Sequence, residues 1–224
     1  MRAARIHAYG GADQLRLEDV ELPTCGPDDL PVEVKAAAIN PIDFKLRGGG
    51  QRAVVRLALP WTLGMDVAGV VLEVGARVRD FSVGDEIYAS PGHRRMGGYA
   101  EQIVIRAAEC ARKPTSLSFE EAASVPLAAL TAWDALVDAC KVGEGDRVLI
   151  QAGAGGVGTF AIQLAKARGA EVLTTCSARN VEHVRSLGAD VPIDSPHSAS
   201  PDHAHCSDPV PASTDHPNIH PANH

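Results

Sequence analysis

The spacing of hydrophobic and polar residues divides the first 194 residues into two parts of different character. Up to about residue 113 the chain consists of short runs of β-branched and aliphatic residues, separated by turns that contain glycine and proline. Many short strands with turns between them predict a small β-barrel or sandwich. No long helical period occurs before Ser118. The predicted strands cover residues 3–8, 15–20, 32–38, 67–74, 86–89 and 99–105.

Beyond residue 113, helical and strand patterns alternate. Ser118 and Glu121 have the spacing of a capping box, which predicts the start of a helix, and Pro126 is expected to separate this helix from the next. The strands and helices that follow predict a parallel sheet with right-handed crossovers. The predicted helices cover 120–125, 130–140, 157–168 and 181–187, and the predicted strands cover 147–151, 171–175 and 191–193.

The last thirty residues differ from both parts in composition. Residues 195–224 contain six of the nine histidines and six of the fifteen prolines, but no Leu, Phe, Tyr, Trp, Gly, Lys, Arg or Glu. A segment with so few core-forming residues cannot offset the entropy that ordering costs, so we expect it to be disordered. The sequence therefore predicts three units, at residues 1–113, 114–194 and 195–224.

Charge and cysteine content bear on partners and location. The formal charge of −7 at pH 7 argues against nucleic acid and anionic membranes as partners. Five cysteines are scattered without a Cys-x-x-Cys pair, which indicates a reducing compartment and neither a disulfide framework nor a zinc knuckle. The N-terminus lacks the apolar core of a signal peptide, and the longest uncharged apolar stretch, residues 122–133, is too short to span a bilayer. We expect a cytoplasmic protein.

A glycine cluster after the predicted strand 147–151 carries the strongest chemical signal. Strand, Gly-x-Gly-x-x-Gly and amphipathic helix follow one another directly, which is the context that dinucleotide binding requires. Without β-carbons, a pyrophosphate can approach the backbone, and the helix N-terminus offers it free N–H groups. The alternative is a glycine turn that only packs a helix on a sheet. The candidate cofactor-binding residues are Gly153, Gly155, Gly156, Val157 and Gly158.

The end of the second parallel strand distinguishes between the two nicotinamide dinucleotides. A site that prefers NAD carries an acid there to bind the adenosine ribose, and residues 173–177 contain none. Ser177, Arg179 and Asn180 follow, and they suit a 2′-phosphate, because a guanidinium pairs with it and small polar groups add hydrogen bonds. Alternatively, Arg179 is a solvated charge at the start of helix 181–187. We predict NADP(H) over NAD(H).

Six motifs carry a resemblance to a known family, and they lie at residues 38–43, 64–69, 83–85, 97–101, 123–133 and 152–158. Through them the chain resembles, over residues 1–194, the medium-chain dehydrogenase/reductase superfamily, in its zinc-independent quinone oxidoreductase branch. The resemblance implies an α/β fold, in which a GroES-like β domain precedes a Rossmann domain and NADPH and substrate lie in the cleft between them. It also implies hydride transfer from NADPH to a quinone or to the β-carbon of an α,β-unsaturated carbonyl.

The resemblance also assigns residues. Asn40 and Asp43 are implied to line the cleft near the nicotinamide, with Asn40 as a candidate hydrogen-bond donor to the substrate oxygen or, equally, a turn residue before a proline. Thr131 matches a position that contacts the cofactor, or it is a helix residue in a buried run. Phe44 stands where many relatives have tyrosine. Zinc-dependent relatives carry Cys and Gly-His-Glu ligands where this chain has Asn40 and Met65, so we expect no metal.

Only three of the six strands of a Rossmann domain are present in the sequence. The absent half is the nicotinamide-side half in the family, through which the family's homodimer forms, so that dimer is doubtful. Strand 147–151 is expected to be an exposed apolar edge, and catalysis is expected to be impaired. One alternative is a non-catalytic fragment that binds nucleotide. Another is a metal-binding protein that uses Asp202, His203, His205 and Cys206.

Overall fold

The computed structural model describes residues 1–92 and 95–194. Two predictions lie outside them. One is the disorder of residues 195–224, together with the candidate metal ligands in that segment. The other is His93, a loop histidine for which no role as a ligand is predicted.

The N-terminal part consists of two antiparallel sheets. A five-stranded sheet has the order β7-β3-β5-β6-β8, and a three-stranded sheet has the order β2-β1-β4. A single bridge between Ala3 and Ala100 links the first strand to the segment before β7. The strands are β1 (Arg2–Ile6), β2 (Leu15–Asp19), β3 (Asp29–Ala38), β4 (Trp61–Thr62), β5 (Asp66–Val71), β6 (Glu86–Ala89), β7 (Gln102–Arg106) and β8 (Cys110–Arg112).

The N-terminal part has a hydrophobic core, which is formed by alternate side chains of the central strands β3 and β5. Leu30 and Val32 on β3 pack with Val67 on β5 and with Ile87 on β6, and all four side chains are 0% exposed. Gly69 is required at the centre of the sheet, because a methyl group there would lie 2.1 Å from the carbonyl oxygen of Glu33. The buried face of each strand therefore defines the register of the sheet.

All six predicted N-terminal strands are present, with shifts at their ends. The sequence did not predict β4 and β8, which have two and three residues and are too short to show an alternation. It also did not predict the seven-residue helix α1 (Pro41–Arg47), which spans only about two turns, too few for a helical period.

The C-terminal part is a three-stranded parallel sheet with the order β11-β10-β9, as predicted. Helix α4 packs on it through Ala161, Ile162 and Ala165. Among the described strands, β9 pairs only with β10 and therefore lies at the edge. The elements are α2 (Phe119–Ala123), α3 (Pro126–Trp133), a π-helical segment (Asp134–Ala139), β9 (Arg147–Ile150), α4 (Gly156–Ala167), β10 (Glu171–Cys176), α5 (Val181–Ser186) and β11 (Val191–Asp194).

The prediction for the helix at 130–140 was wrong at its start. Pro126 begins α3 instead of lying between two helices, because proline has no N–H to lose at the first helical position and its φ is already helical. The predicted helix is also not uniform, since its second half, from Asp134 to Ala139, is π-helical. This start places the first N–H of α3 at Leu127, next to the antiparallel sheet.

Candidate active site

The glycine cluster forms a turn that the end of β10 holds in place. The N–H of Gly153 donates to the carbonyl oxygen of Thr175 over 2.9 Å, and the N–H of Ala152 donates to the hydroxyl oxygen of the same residue, also over 2.9 Å. The N–H of Gly155 donates back to the carbonyl oxygen of Ala152 over 2.9 Å. Three backbone donors are thus used to shape the turn, and they are not available to a ligand.

The glycines of this turn have two different roles. A methyl group at Gly153 would lie 2.0 Å from the hydroxyl oxygen of Thr174, and one at Gly158 would lie 2.5 Å from the carbonyl oxygen of Ala152. A methyl group at Gly156 would meet no atom of the described residues within 4 Å outside its own helix. Two glycines therefore allow close packing, whereas Gly156 borders open space.

The start of α4 leaves three donors free. Its first helical hydrogen bond runs from the N–H of Thr159 to the carbonyl oxygen of Gly155 over 2.9 Å. The N–H groups of Gly156, Val157 and Gly158 consequently have no acceptor in the part of the chain that the structure describes. A helix N-terminus with free donors and a partial positive charge binds phosphate. The residues present therefore fit the pyrophosphate of a dinucleotide.

Ser177, Arg179 and Asn180 form a short turn at the same edge of the sheet. The N–H of Asn180 donates to the carbonyl oxygen of Ser177 over 2.8 Å, and its side-chain amide donates to the Ser177 hydroxyl over 3.2 Å. Arg179 is exposed. Since Thr175, two residues earlier, holds the glycine turn, the structure brings the two predicted cofactor segments together. Their roles toward a cofactor stay predictions.

Thr131 lies on α3, which packs against α4. The side chain is exposed, and its hydroxyl donates to the carbonyl oxygen of Leu127, one turn earlier, over 2.7 Å. The predicted contact between Thr131 and the cofactor stays a prediction. The exposure of the residue argues against the alternative that it is only a buried helix position.

Asn40 and Asp43 meet at the start of α1. Asn40 is the residue before the helix, and its backbone N–H donates to Oδ2 of Asp43 over 2.8 Å. The hydroxyl of Tyr99 donates to the same oxygen over 2.9 Å. Asp43 is 3% exposed, and its Oδ1 has no hydrogen-bond partner among residues 1–92 and 95–194. The structure thus shows Asp43 as a buried acceptor, and contact between Asp43 and a substrate stays a prediction.

Asp66, on β5, connects this cluster to α3. Its Oδ2 accepts a 2.9 Å hydrogen bond from Nδ2 of Asn40, and its Oδ1 accepts one of 2.9 Å from the backbone N–H of Leu127. The residue is 1% exposed. Burial raises the pKa of Asp66, and the hydrogen bond from Asn40 opposes that rise. Asp66 was not predicted as a site residue. The signal for it in the sequence is an acid inside an apolar strand.

Tyr99 is a second residue that sequence reasoning missed. Burial raises its pKa, and the neighbouring carboxylate of Asp43 raises it further. The phenol therefore keeps its proton at neutral pH and acts as a donor to Asp43. Its place in the motif at residues 97–101 was visible, but the sequence did not show its partner, because the two residues lie 56 positions apart.

Within residues 1–92 and 95–194, no three His, Cys, Asp or Glu side chains converge as ligands of a metal ion would. In the same residues, none of the helices has the length and apolar character needed to cross a membrane.

Comparison with known proteins identifies the family. The family model of the alcohol dehydrogenase GroES-like domain matches residues 26–115. The mitochondrial NAD(P)H oxidoreductase RTN4IP1 of Danio rerio is 40% identical over 212 residues, which are 87% of this chain and 55% of that protein. The chloroplast envelope quinone oxidoreductase homolog of Arabidopsis thaliana is 36% identical over 236 residues, which are 98% of this chain and 72% of that protein. The chain belongs to the medium-chain dehydrogenase/reductase superfamily, in its quinone oxidoreductase branch.

Solved structures of medium-chain dehydrogenase/reductases share the fold. The quinone oxidoreductase from Coxiella burnetii aligns with a TM-score of 0.76 at 38% identity, over 87% of this chain and 62% of that one. The Escherichia coli quinone oxidoreductase complexed with NADPH aligns with a TM-score of 0.76 at 31% identity, over 87% and 58%. The predicted fold, a GroES-like region followed by part of a Rossmann domain, is confirmed. The chain spans 55% of the Danio rerio relative and 61% of the Spinacia oleracea quinone-oxidoreductase homolog.

Proposed function

We propose that this chain carries the NADPH site and the substrate-facing residues of an oxidoreductase that transfers hydride to a quinone or an α,β-unsaturated carbonyl. The observation that carries the proposal is the start of α4. Three free N–H groups border open space at Gly156, beside a turn that contains Arg179 and no acid. Relatives named as NAD(P)H, quinone and NADPH-dependent alkenal/one oxidoreductases support it.

The cofactor would be held at two places. The N–H groups of Gly156, Val157 and Gly158 would bind the pyrophosphate. Arg179 would pair with the 2′-phosphate, and Ser177 and Asn180 would add hydrogen bonds, which favours NADP(H) over NAD(H). NADPH, when bound, supplies the hydride, and the protein contributes binding and orientation.

On the substrate side, Asn40 would act as a donor. One hydrogen of its side-chain amide is used by Asp66, so the second can bond to the carbonyl oxygen of a quinone or enone. Thr131 would contact the cofactor from α3. Polarisation of the carbonyl by an amide needs no metal, and Met65 and Asn40, which stand at the positions of zinc ligands, are not residues that bind zinc. We therefore propose a zinc-independent reaction.

The proposed partners are small molecules. The net charge of −7 supports the prediction that nucleic acid and anionic membranes are not partners. The cytoplasm stays our predicted location, whereas the relatives reported above are named as mitochondrial and chloroplast-envelope proteins.

A second candidate is a non-catalytic module that binds only the adenosine half of the nucleotide. The edge position of β9 favours it. Leu149 on β9 is 57% exposed in the described structure, and strands on that side would carry the nicotinamide-side half of the site. In this case the glycine turn and Arg179 would still bind the phosphates.

Calorimetry with NADPH, NADH and 2′-phospho-ADP-ribose, together with reduction of 1,4-benzoquinone and trans-2-hexenal, separates the two candidates. Binding with turnover supports the reductase. If 2′-phospho-ADP-ribose binds as tightly as NADPH and no substrate is reduced, the module is supported. If none of the three ligands binds, both candidates are contradicted.

A pair of arginine variants tests the basis of cofactor choice. Because a hydrogen bond to a charged group contributes about 1.5–3 kcal/mol, Arg179→Ala is expected to weaken NADPH binding about 10- to 100-fold and to leave NADH binding unchanged. Arg185→Ala is the matched control, since Arg185 pairs with Glu182 on α5. Equal losses for NADPH and NADH in Arg179→Ala would contradict the assignment.

A further inference from the structure

We infer that Asp66 is a positioning residue for hydride transfer, which orients the side chain of Asn40 and anchors the helix that carries Thr131. The inference rests on the proposed function, because the two residues that it connects are the candidates on the substrate and cofactor sides. Asp66 itself would touch neither ligand.

The first link determines the orientation of the Asn40 amide. An ionised carboxylate can only accept hydrogen bonds, so the NH₂ end of that amide must face Asp66. The distance between Nδ2 of Asn40 and Oδ2 of Asp66 is 2.9 Å. A turned amide would place two acceptors in contact. The carbonyl end of Asn40 and its second N–H are therefore the groups left for a substrate.

The second link anchors α3 to the antiparallel sheet. Pro126 is the first residue of the helix and has no N–H, so Leu127 supplies the first donor, and it bonds to Oδ1 of Asp66 over 2.9 Å. A negative charge is stabilised at this end of a helix. The carbonyl oxygen of Leu127 in turn accepts the hydroxyl of Thr131 over 2.7 Å. One carboxylate thus connects Asn40 on one side with Thr131 on the other.

Asp66 is an acid buried within an apolar strand. The neighbours Val67 and Ala68 are 0% exposed, and Asp66 itself is 1% exposed. An apolar side chain in this strand would avoid the cost of burying a charge. Each carboxylate oxygen instead has its own donor, one from each part of the molecule. This is the arrangement expected of a group that sets the position of one part relative to the other.

The test compares Asp66→Asn with Asp190→Asn in the full chain. An asparagine at 66 has one acceptor oxygen where the carboxylate has two, so its NH₂ group must face either the amide of Asn40 or the N–H of Leu127, and one of the two bonds is lost. We expect kcat/KM for trans-2-hexenal to fall about 10- to 100-fold, the factor that a misplaced catalytic contact costs. The Kd for NADPH, measured by calorimetry, should stay within about threefold, because the glycine turn is unchanged.

Asp190→Asn is the matched control, because it also removes a carboxylate bonded to a backbone N–H, that of Val172, and to Lys166. It should lower the thermal midpoint without changing kcat/KM. If Asp66→Asn lowers the thermal midpoint in the same way and leaves kcat/KM unchanged, Asp66 is only a structural cap and the inference is wrong.

A readout that does not depend on turnover separates this inference from the proposed function. If the wild-type chain shows no turnover, the proposed reductase fails for this chain, and the side-chain amide signals of Asn40 in ¹⁵N NMR spectra decide the positioning role. In Asp66→Asn these signals or the backbone N–H signal of Leu127 should shift, whereas the backbone signal of Thr159 stays. Unchanged signals of both Asn40 and Leu127 would overturn the inference.

Discussion

The two parts of the molecule bury the side chains of similar apolar strands to different extents. In the antiparallel part, β3 and β5 each have a partner strand on both sides, and side chains such as Val32 and Val67 are completely buried. In the parallel part, β9 is also apolar, and its Ile150 is 8% exposed in the core with α4, but Leu149, which points to the opposite face of the sheet, is 57% exposed. What packs on each face of a sheet, and not the apolar character of a strand, therefore decides whether its side chains form a core.

The two parts also hold their candidate site residues differently. In the antiparallel part, buried carboxylates arrange the site, with Asp43 and Asp66 accepting hydrogen bonds from distant residues. In the parallel part, uncharged groups do so, since Thr174 and Thr175 shape the glycine turn through hydroxyl and backbone contacts. A site built on buried charge should respond more strongly to the loss of a single donor.

A pair of leucine variants tests this difference in burial most directly. Leu63, packed in the antiparallel part, is 1% exposed, whereas Leu149 on β9 is 57% exposed. Leu63→Ala is expected to lower the free energy of unfolding by about 2–5 kcal/mol, because it leaves a cavity in a core. Leu149→Ala should cost less than about 1 kcal/mol, since little area is buried there. Urea denaturation measures both values. Equal losses would contradict the difference between the two parts.

The next largest loss of stability is expected from a substitution in the glycine turn. Gly158→Ala is expected to destabilise the protein by about 1–3 kcal/mol, because its methyl group would press on backbone atoms that cannot move away. The nearest is the carbonyl oxygen of Ala152, at 2.5 Å. Hydrogen exchange measured by mass spectrometry should show faster exchange in β9 and β10 and unchanged protection in β3 and β5.

Gly156→Ala is the control for this prediction, because an added methyl group there meets open space. It should be neutral or stabilising by about 0.4–1 kcal/mol, since alanine restricts the unfolded chain more than glycine does. If both variants are equally destabilised, the close contact at Gly158 is not the cause.

A variant that removes one hydrogen-bond donor tests how much a buried carboxylate contributes to stability. Tyr99→Phe takes away the hydroxyl that bonds Asp43 over 2.9 Å. A hydrogen bond to a charged group contributes about 1.5–3 kcal/mol, so the free energy of unfolding should fall by about that amount. Tyr88→Phe on β6 is the control and should change the value by less than about 0.5 kcal/mol. A loss no larger than that of the control would show that the bond contributes nothing.

The smallest expected effect concerns the pH dependence of stability and compares one carboxylate from each part. The N–H of Ser82 lowers the pKa of Asp85, and Lys166 and the N–H of Val172 lower that of Asp190. Because both values are lower in the folded state, the stability that each group contributes is present above the ordinary carboxyl pKa of about 3.9 and is lost as the pH falls through the folded-state value.

Thermal midpoints between pH 6 and pH 2 measure this effect. The midpoint of the wild type should fall with the pH, and that of Asp85→Asn or Asp190→Asn should fall less steeply. An Asn variant with the same slope as the wild type would show that its carboxylate has the same pKa in the folded and unfolded chains.

Much of the fold could be predicted from the sequence, because alternation and helical period are local properties. The six longer strands of the antiparallel part, the order of elements after Ser118 and the strand–turn–helix around Gly153 were all predicted. The start of α3 was not, since Pro126 can either end one helix or begin another. The short elements β4, β8 and α1 were also missed, because they have too few residues for a period.

The sequence by itself determined the fold class, the glycine turn and the absence of an acid at residues 173–177, since each of these depends on neighbouring residues. Only the tertiary structure decided which residues the buried carboxylates serve. Asp43 bonds Tyr99 across 56 positions, and Asp66 bonds Leu127 across 61. No local pattern records such pairs. Their physical cause is that a buried acceptor must find a donor, and the packing of distant segments alone determines which donor comes within reach.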